Sequence, residues 1–360
     1  MKRMFALMMC LLMMCGLVPS VAEEISLTGK VTEIEQYGHV QLDITIEDFS
    51  NAGFELGDIV TVKAGSFEGD VPCLNGYYVD RGECMVRAYP GRDEIAVCIN
   101  YGKFAETAGV GVGDPVTLTM KEKSGALALQ EINNLVYSNE RADYPSDEVF
   151  ANFRPVVAGK LYRSASPVDN KNNRAETADR LIQAAGIRTV MNLANTDEDI
   201  AEFLAAEDFA SPCYRDLYES GSVIPLGMSI DFASDEFAEG IVRGLSFLSG
   251  RETPFLVHCS EGKDRGGFAA MILEMLAGFS TDNIIADYML SYVNYYGIQA
   301  GTEKYDMIAD KNIREMMIMI ARVEKGSALD GIDWKTAAER YLAAHGMSMD
   351  AITALEEKLR

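Results

Sequence analysis

Apolar residues recur along this chain with two different periods, and the change from one to the other divides it. Between residues 24 and 122, short runs alternate apolar and polar side chains at 25–34, 40–46, 58–64, 83–88, 95–100 and 115–120, with Gly and Asp between them. No long amphipathic helix fits this stretch, so it predicts an all-β barrel or sandwich. A connector rich in charged and small residues follows over 123–147, with room for one short helix. From Arg174 onward, helix-spaced runs alternate with continuous apolar ones. Helices are expected at 175–185, 198–209 and 236–248, and buried strands at 187–193, 223–226 and 255–258. Beyond residue 265 the pattern is helical, near 266–277, 281–296, 303–325, 334–345 and 348–359. Residues 148–360 are therefore expected to form an α/β sandwich with a helical C-terminal cap.

The N-terminus has its own pattern. Lys2 and Arg3 precede an apolar run from Met4 to Val18, and Ser20-Val21-Ala22 places small residues before Glu23. This is the layout of a secretory signal peptide over 1–22, cut after Ala22. The run is shorter than the roughly 20 residues of a spanning helix, so cleavage is expected over anchoring. Leu12-Met13-Met14 makes a poor lipoprotein box for Cys15. Cleavage would leave 338 residues, enough for two domains, and an extracytoplasmic protein without a stable membrane span. It would remove two bases and no acid, taking the formal charge from −23 to −25. So acidic a surface repels nucleic acid and anionic lipid, and disfavours highly anionic substrates such as inositol polyphosphates unless the site alone is basic.

Five of the seven cysteines follow that cleavage point: Cys73, Cys84, Cys98, Cys213 and Cys259. An odd number fits one reactive thiol beside up to two disulfides, and equally fits none. The three histidines, His39, His258 and His345, make no ligand cluster, so no metal or organic cofactor is expected. The oligomeric state is left open.

The chemistry concentrates in His258-Cys259-Ser260-Glu261-Gly262-Lys263-Asp264-Arg265-Gly266-Gly267. An apolar run, 254–257, precedes this stretch and the helix-patterned 268–276 follows it. Strand, tight loop and helix in that order suit a loop whose N–H groups wrap a phosphate, with Ser260, Glu261, Gly262, Lys263, Gly266 and Gly267 as its lining. A helix N-terminus and nearby cations can turn a cysteine into a thiolate nucleophile, the role expected of Cys259. Arg265 has the planar fork to hold two phosphoryl oxygens. Gly262 allows close backbone approach, and Lys263 supplies a mobile second cation. A lone cysteine is usually a small buried hydrophobe. Here His258, the internal glycine, the strand and the helix accompany it.

This stretch resembles the signature of the cysteine-dependent protein-tyrosine-phosphatase superfamily, in which HC is followed by five residues and R. Gly262-Lys263-Asp264-Arg265 is similar to its bacterial GKDR-loop branch. Asn152-Phe153-Arg154, Gly159 to Ala165 and Ala338 to Gly346 extend the resemblance over roughly 148–360. It implies a tyrosine-phosphatase-like fold and a phosphocysteine intermediate. The family usually has Ser or Thr directly after the arginine, where this chain has Gly266. That hydroxyl steadies the departing thiolate in the family, so the second step is the one its absence affects.

The leaving group needs a proton from a carboxylic acid within hydrogen-bond reach. The GKDR branch implies Asp264 for this role. Asp231 and Asp235, in the loop before the 236–248 helix, are the alternatives, and Asp235 also suits a helix N-cap. Arg163 is expected either to pair with a structural acid or to lie near the pocket. Tyr288, Tyr292, Tyr295 and Tyr296 share one helix face, which fits core packing or the lining of an apolar cleft.

The β-rich stretch resembles the C-terminal β-domain of S-adenosylmethionine hydroxide adenosyltransferase-like proteins, through residues 82–91, 94–106 and 111–118. The catalytic partner domain of that family is absent, so a structural or substrate-presenting module is expected. The chain as a whole reads as an exported cysteine phosphatase acting on a phosphorylated peptide or small phosphomonoester, phosphotyrosine first. The alternatives are a phosphoinositide or inositol-phosphate phosphatase and a phosphate-binding module with weak turnover.

Overall fold

Most strands of the first sheet alternate buried positions with more exposed ones, and the sheet closes on itself. In the computed structural model, which describes residues 25–89 and 91–360, strands β1 (Ser26–Ile34), β2 (Val40–Thr45), β3 (Ile59–Ala64), β4 (Phe67–Leu74), β5 (Cys84–Arg87), β6 (Glu94–Ile99) and β7 (Pro115–Glu122) form a closed barrel in the order β1-β2-β6-β5-β4-β3-β7. Closure pairs Ser26 to Lys30 of β1 with Thr119 to Pro115 of β7, so the barrel has no free sheet edge. On β3, Val60, Val62 and Ala64 point inward, where Phe49 and Phe54 stack at 4.9 Å. Helix α1 (Ile46–Asn51) starts on a reciprocal cap between Thr45 and Asp48, and α2 (Phe104–Ala108) buries Phe104.

Three of these elements depart from the sequence pattern. Strand β4 was not expected, because Gly69 and Pro72 interrupt its alternation; it folds back on β3 through Gly65, and a Cβ there would lie 2.3 Å from the Ala108 carbonyl. The helices α1 and α2 are too short to show a period. The expected signal peptide, with Cys10 and Cys15, lies outside the described residues.

The chain divides into two units, one ending at Gln130 and the other running from Glu131 to Arg360. Short helices α3 (Leu127–Ile132) and α4 (Asp147–Phe150) fall in the region read as a connector and just after it. The second unit has five strands: β8 (Arg154–Val157), β9 (Leu161–Ser164), β10 (Thr189–Asn192), β11 (Val223–Pro225) and β12 (Phe255–His258). They run in the order β11-β10-β12-β9-β8, parallel except for β8. Every residue of β10 and β12 is buried, as expected for strands covered on both faces.

One face of this sheet packs α5 (Ala175–Ala184), α6 (Asp197–Ala205) and α7 (Pro212–Glu219) through Ile182, Ile200 and Tyr214. The other packs α8 (Asp235–Ser249) and α9 (Arg265–Leu276), backed by α10 (Thr281–Tyr296), α11 (Glu303–Ala309), α12 (Glu315–Ala321), α13 (Trp334–Ala344) and α14 (Met349–Leu359). The helix expected over 198–209 ends at Ala205, and α7 was not expected. The long helix expected over 303–325 is divided by a π-helical turn at Asp310–Arg314.

Register aligns the strand ends. His258 lies opposite Ser164 on β9 and Asn192 on β10, so the loops after these strands leave from one carboxyl edge of the sheet.

Candidate active site

Strand β12 ends at His258, Cys259 follows, and α9 begins at Arg265. Asp264 is the N-cap residue of α9 but makes no capping hydrogen bond with its side chain, so the first-turn N–H groups take no side-chain oxygen from it. Between these points the loop carbonyls are all held from behind. The Ser260 carbonyl accepts from the Ser166 N–H at 3.1 Å, and the Glu261 carbonyl accepts from Asn152 Nδ2 at 3.1 Å and from the Tyr295 hydroxyl at 2.7 Å. The Gly262 and Lys263 carbonyls accept from Arg163 Nη2 at 2.6 and 3.0 Å. In a planar trans peptide the C=O and the next N–H point in opposite directions. Pulling back these carbonyls therefore turns the N–H groups of Glu261, Gly262, Lys263 and Asp264 to the inner side of the loop.

Glycine is required at two points. Gly262 has φ +67°, and a Cβ on it would lie 2.0 Å from the Ser164 carbonyl oxygen. At Gly267 a Cβ would meet the Tyr288 ring at 2.7 Å and Arg163 Nη2 at 2.9 Å. Gly266 differs. A Cβ there meets Cys259 N at 3.7 Å and Sγ at 3.8 Å, which are ordinary contacts.

Arg163 is fully buried: Nη1 donates to Asp287 Oδ2 at 2.6 Å while its other nitrogens donate to the loop carbonyls. Arg154 Nε donates to Asp287 Oδ1 at 2.6 Å. Burial pushes the Asp287 carboxyl up, but the two guanidiniums outweigh it and hold the group below the ordinary carboxylate range. Burial and the Asp287 charge push Glu274 well above that range. With Glu274 pushed toward its neutral form, the charges behind the loop are chiefly the two guanidiniums and the Asp287 carboxylate.

Arg265 donates from Nη1 to the Met228 carbonyl at 2.7 Å, with Nη2 3.4 Å from Ser260 Oγ, and its buried Nε has no partner within the protein. His258 is fully buried, with Nδ1 3.4 Å from the Cys259 carbonyl; burial lowers its pKa to about 3, so the ring is neutral. Cys259 itself is buried. All five described cysteines are free thiols, and burial pushes Cys84 and Cys98 up to about 12 and Cys213 to about 11.

The acid candidates separate by position. Burial raises the Asp264 pKa against the opposing charge of Lys263, and its side chain keeps 39% of its exposure. Asp231 is exposed on the loop after β11; its neighbour Phe232 stacks on Phe268 of α9 at 5.7 Å, and Met228 of the same loop holds Arg265. Asp235 is not the N-cap. Ser234 takes that role, accepting from the Phe237 N–H at 3.1 Å, and Asp235 is an exposed first-turn residue.

One further reading needs correction. Lys263 is not mobile: its Nζ lies 2.9 Å from Glu261 Oε2 and 3.1 Å from the Tyr296 hydroxyl, against the rings of Tyr292 and Tyr296. On the tyrosine face of α10, Tyr288, Tyr292 and Tyr295 are buried, the core-packing alternative, while Tyr295 and Tyr296 also border a surface pocket. Tyr288 packs behind Gly267, Tyr295 holds the Glu261 carbonyl, and Tyr292 and Tyr296 seat Lys263.

Residues not singled out from the sequence complete the site. Tyr137 donates its hydroxyl to Glu261 Oε1 at 2.6 Å, and Arg174 lies over the Tyr137 and Tyr295 rings. Asp287 and Glu274 had one legible signal, an acid within an otherwise apolar helical stretch.

A family model described as "Tyrosine phosphatase family" matches residues 148–360. No curated protein matches the chain. Among solved structures, the core catalytic domain of the PP-IP phosphatase SIW14 from S. cerevisiae, in complex with citrate, is 17% identical over 50% of this chain and 93% of its own, with a TM-score of 0.29. An uncharacterized conserved protein from Thermotoga maritima is 23% identical over 27% of this chain, with a TM-score of 0.25, and this chain spans 37% of that protein's length. The family match covers the strand, loop and helix that carry Cys259 and Arg265, and by it the chain belongs to the tyrosine phosphatase family.

Proposed function

We propose that the chain is a cysteine phosphatase acting on phosphomonoesters, phosphotyrosine first, outside the cytoplasm. Cys259 Sγ attacks phosphorus in line, and the bond from phosphorus to the ester oxygen breaks with its electron pair on that oxygen. Asp264 gives the leaving oxygen its proton. Water then adds to phosphorus, the S–P bond breaks to return the thiolate, and Asp264 takes up the water proton. The inward N–H groups and Arg265 hold the phosphoryl oxygens through both steps.

The observation that carries this reading is the fastening of the Ser260, Glu261, Gly262 and Lys263 carbonyls from behind. A loop held this way presents its amides before substrate arrives, so they need little reorganisation during reaction. The buried, unspent Nε of Arg265 adds a donor for a phosphoryl oxygen. Among the described residues no helix is long and apolar enough to cross a membrane, and the proposed location rests on the signal-like N-terminus.

The test is hydrolysis of p-nitrophenyl phosphate, then a panel of phosphotyrosyl peptides, phosphoinositides and phytate. Preference for the peptides supports the reading, preference for the inositol substrates replaces the substrate class, and binding without turnover makes the chain a phosphate-reading module. Cys259→Ser is expected to abolish turnover while retaining phosphate binding. Arg265→Lys is expected to be nearly inactive, because a point charge cannot make the bidentate contact. Full activity of either variant would remove the assigned role.

A further inference from the structure

Glu261 puts a carboxylate into a loop whose amides face a phosphate dianion, and that placement works against anion binding unless the charge is answered. Here both of its oxygens are occupied: Oε1 accepts from the Tyr137 hydroxyl at 2.6 Å and Oε2 pairs with Lys263 Nζ at 2.9 Å. Lys263 and the Tyr137 hydroxyl hold the Glu261 pKa below its ordinary value despite burial, while Asp264 and Glu261 keep Lys263 an ammonium. The Lys263 side chain is 13% exposed and is seated on the Tyr292 and Tyr296 rings, so its charge is directed at Glu261 rather than outward. Its Nζ lies 3.8 Å from Asp264 Oδ2. It therefore stands beside the carboxyl assigned to the leaving group, where a second anionic group of a substrate would come.

Tyr137 precedes the matched family region of 148–360 and is fixed from several sides. Its ring meets Tyr295 at 4.9 Å and Tyr296 at 5.6 Å, and the Arg174 guanidinium lies over it at 4.9 Å. Arg174 in turn donates to the Ser138 carbonyl and to Asn139 Oδ1, which fixes the segment that carries Tyr137.

We propose that Glu261 is a charge-selecting residue of this site and Tyr137 its positioning residue: together they neutralise Lys263 and disfavour substrates with a second phosphate beside the reacting one. The proposal rests on the phosphatase reading for its substrate class. Its physical content is a discrimination between singly and doubly phosphorylated ligands, which binding alone can measure.

The experiment uses the full chain with Cys259→Ser and two peptides of one sequence, phosphotyrosine followed by serine or by phosphoserine, with Kd measured by calorimetry. Adding Glu261→Gln is expected to shift the affinity ratio at least tenfold toward the doubly phosphorylated peptide. Tyr137→Phe should move it the same way by less, and Lys263→Met on top of Glu261→Gln should cancel the gain. A merely structural Glu261 would weaken both peptides alike, and that outcome, an unchanged ratio, or no binding of either peptide to any variant would overturn the proposal. The parent chain's turnover of p-nitrophenyl phosphate is read separately. Loss of the phosphatase reading then shows as absent turnover with the ratio still shifted.

Discussion

Arg163 and Asp287 meet at 2.6 Å in the interior of the second unit, and the same Arg163 guanidinium carries the Gly262 and Lys263 carbonyls. The acid thus aims the arginine and the arginine aims the loop. Burying such a pair is not in itself strongly stabilising, but removing one partner strands the other charge in a low dielectric.

Asp287→Asn leaves Arg154 and Arg163 without their shared counter-charge. The expected loss is about 3–5 kcal/mol, the range for breaking a buried pair, seen as a lowered urea midpoint. The kcat per folded molecule should fall as well, because the loop carbonyls lose their aimed donor. A lowered midpoint with unchanged kcat would make the pair purely a matter of stability.

Glu274 gives a pH signature with a definite sign. Its folded pKa is raised well above the ordinary value by burial and by Asp287, so the native state keeps a proton that the unfolded chain releases. This group's contribution to stability is complete below the unfolded pKa and is lost as pH rises toward the folded one, at about 1.4 kcal/mol per pH unit. Glu274→Gln imitates the protonated acid and removes that loss. Thermal melts at pH 5 and pH 8 should show the variant gaining over the parent at pH 8, and an equal offset at both values would argue against a neutral Glu274.

Asp264 is raised by burial, so it holds its proton to higher pH than an ordinary aspartate. A general acid acts in its protonated form, and kcat should fall as pH rises through its pKa. Asp264→Asn should remove that falling limb. It should also slow aryl phosphates with poor leaving groups far more than those with good ones, since good ones need little proton donation. If Asp231→Asn shows this pattern and Asp264→Asn does not, the acid belongs to the loop after β11.

The sequence carried the front of this site better than its back. Cys259, Arg265 and the strand and helix around them are contiguous, and their order alone implied a phosphate loop. What holds that loop is remote: Arg163 reaches Gly262 across 99 residues, Asn152 reaches Glu261 across 109, and Tyr137 reaches it across 124. These bonds run from one side chain to a backbone carbonyl or a single carboxylate, and such pairings leave no period in the sequence. The barrel was legible strand by strand except at β4, where Gly69 and Pro72 break the alternation that pairing with β3 restores. The tyrosine face of α10 was legible as a face, but apolar spacing does not say whether a buried ring meets a core or a loop.

Gly266 stands where the family has a hydroxyl, and the geometry makes that difference testable. Its φ lies outside the left-handed region, and a Cβ there would meet Cys259 Sγ at 3.8 Å without a clash, so Gly266→Ser is expected to fold normally with its hydroxyl near the sulfur. In the parent enzyme nothing at this position steadies the departing thiolate, and breakdown of the phosphocysteine should be slow. Stopped-flow measurement with p-nitrophenyl phosphate should show a burst of phenolate followed by slower turnover, the mark of an accumulating covalent intermediate. Gly266→Ser should raise the steady-state rate several-fold and shrink the burst, because a hydroxyl donor to the thiolate favours the S–P bond breaking. A parent enzyme without a burst, and a folded Gly266→Ser variant with unchanged turnover, would mean that the loop amides already stabilise the leaving thiolate without that hydroxyl.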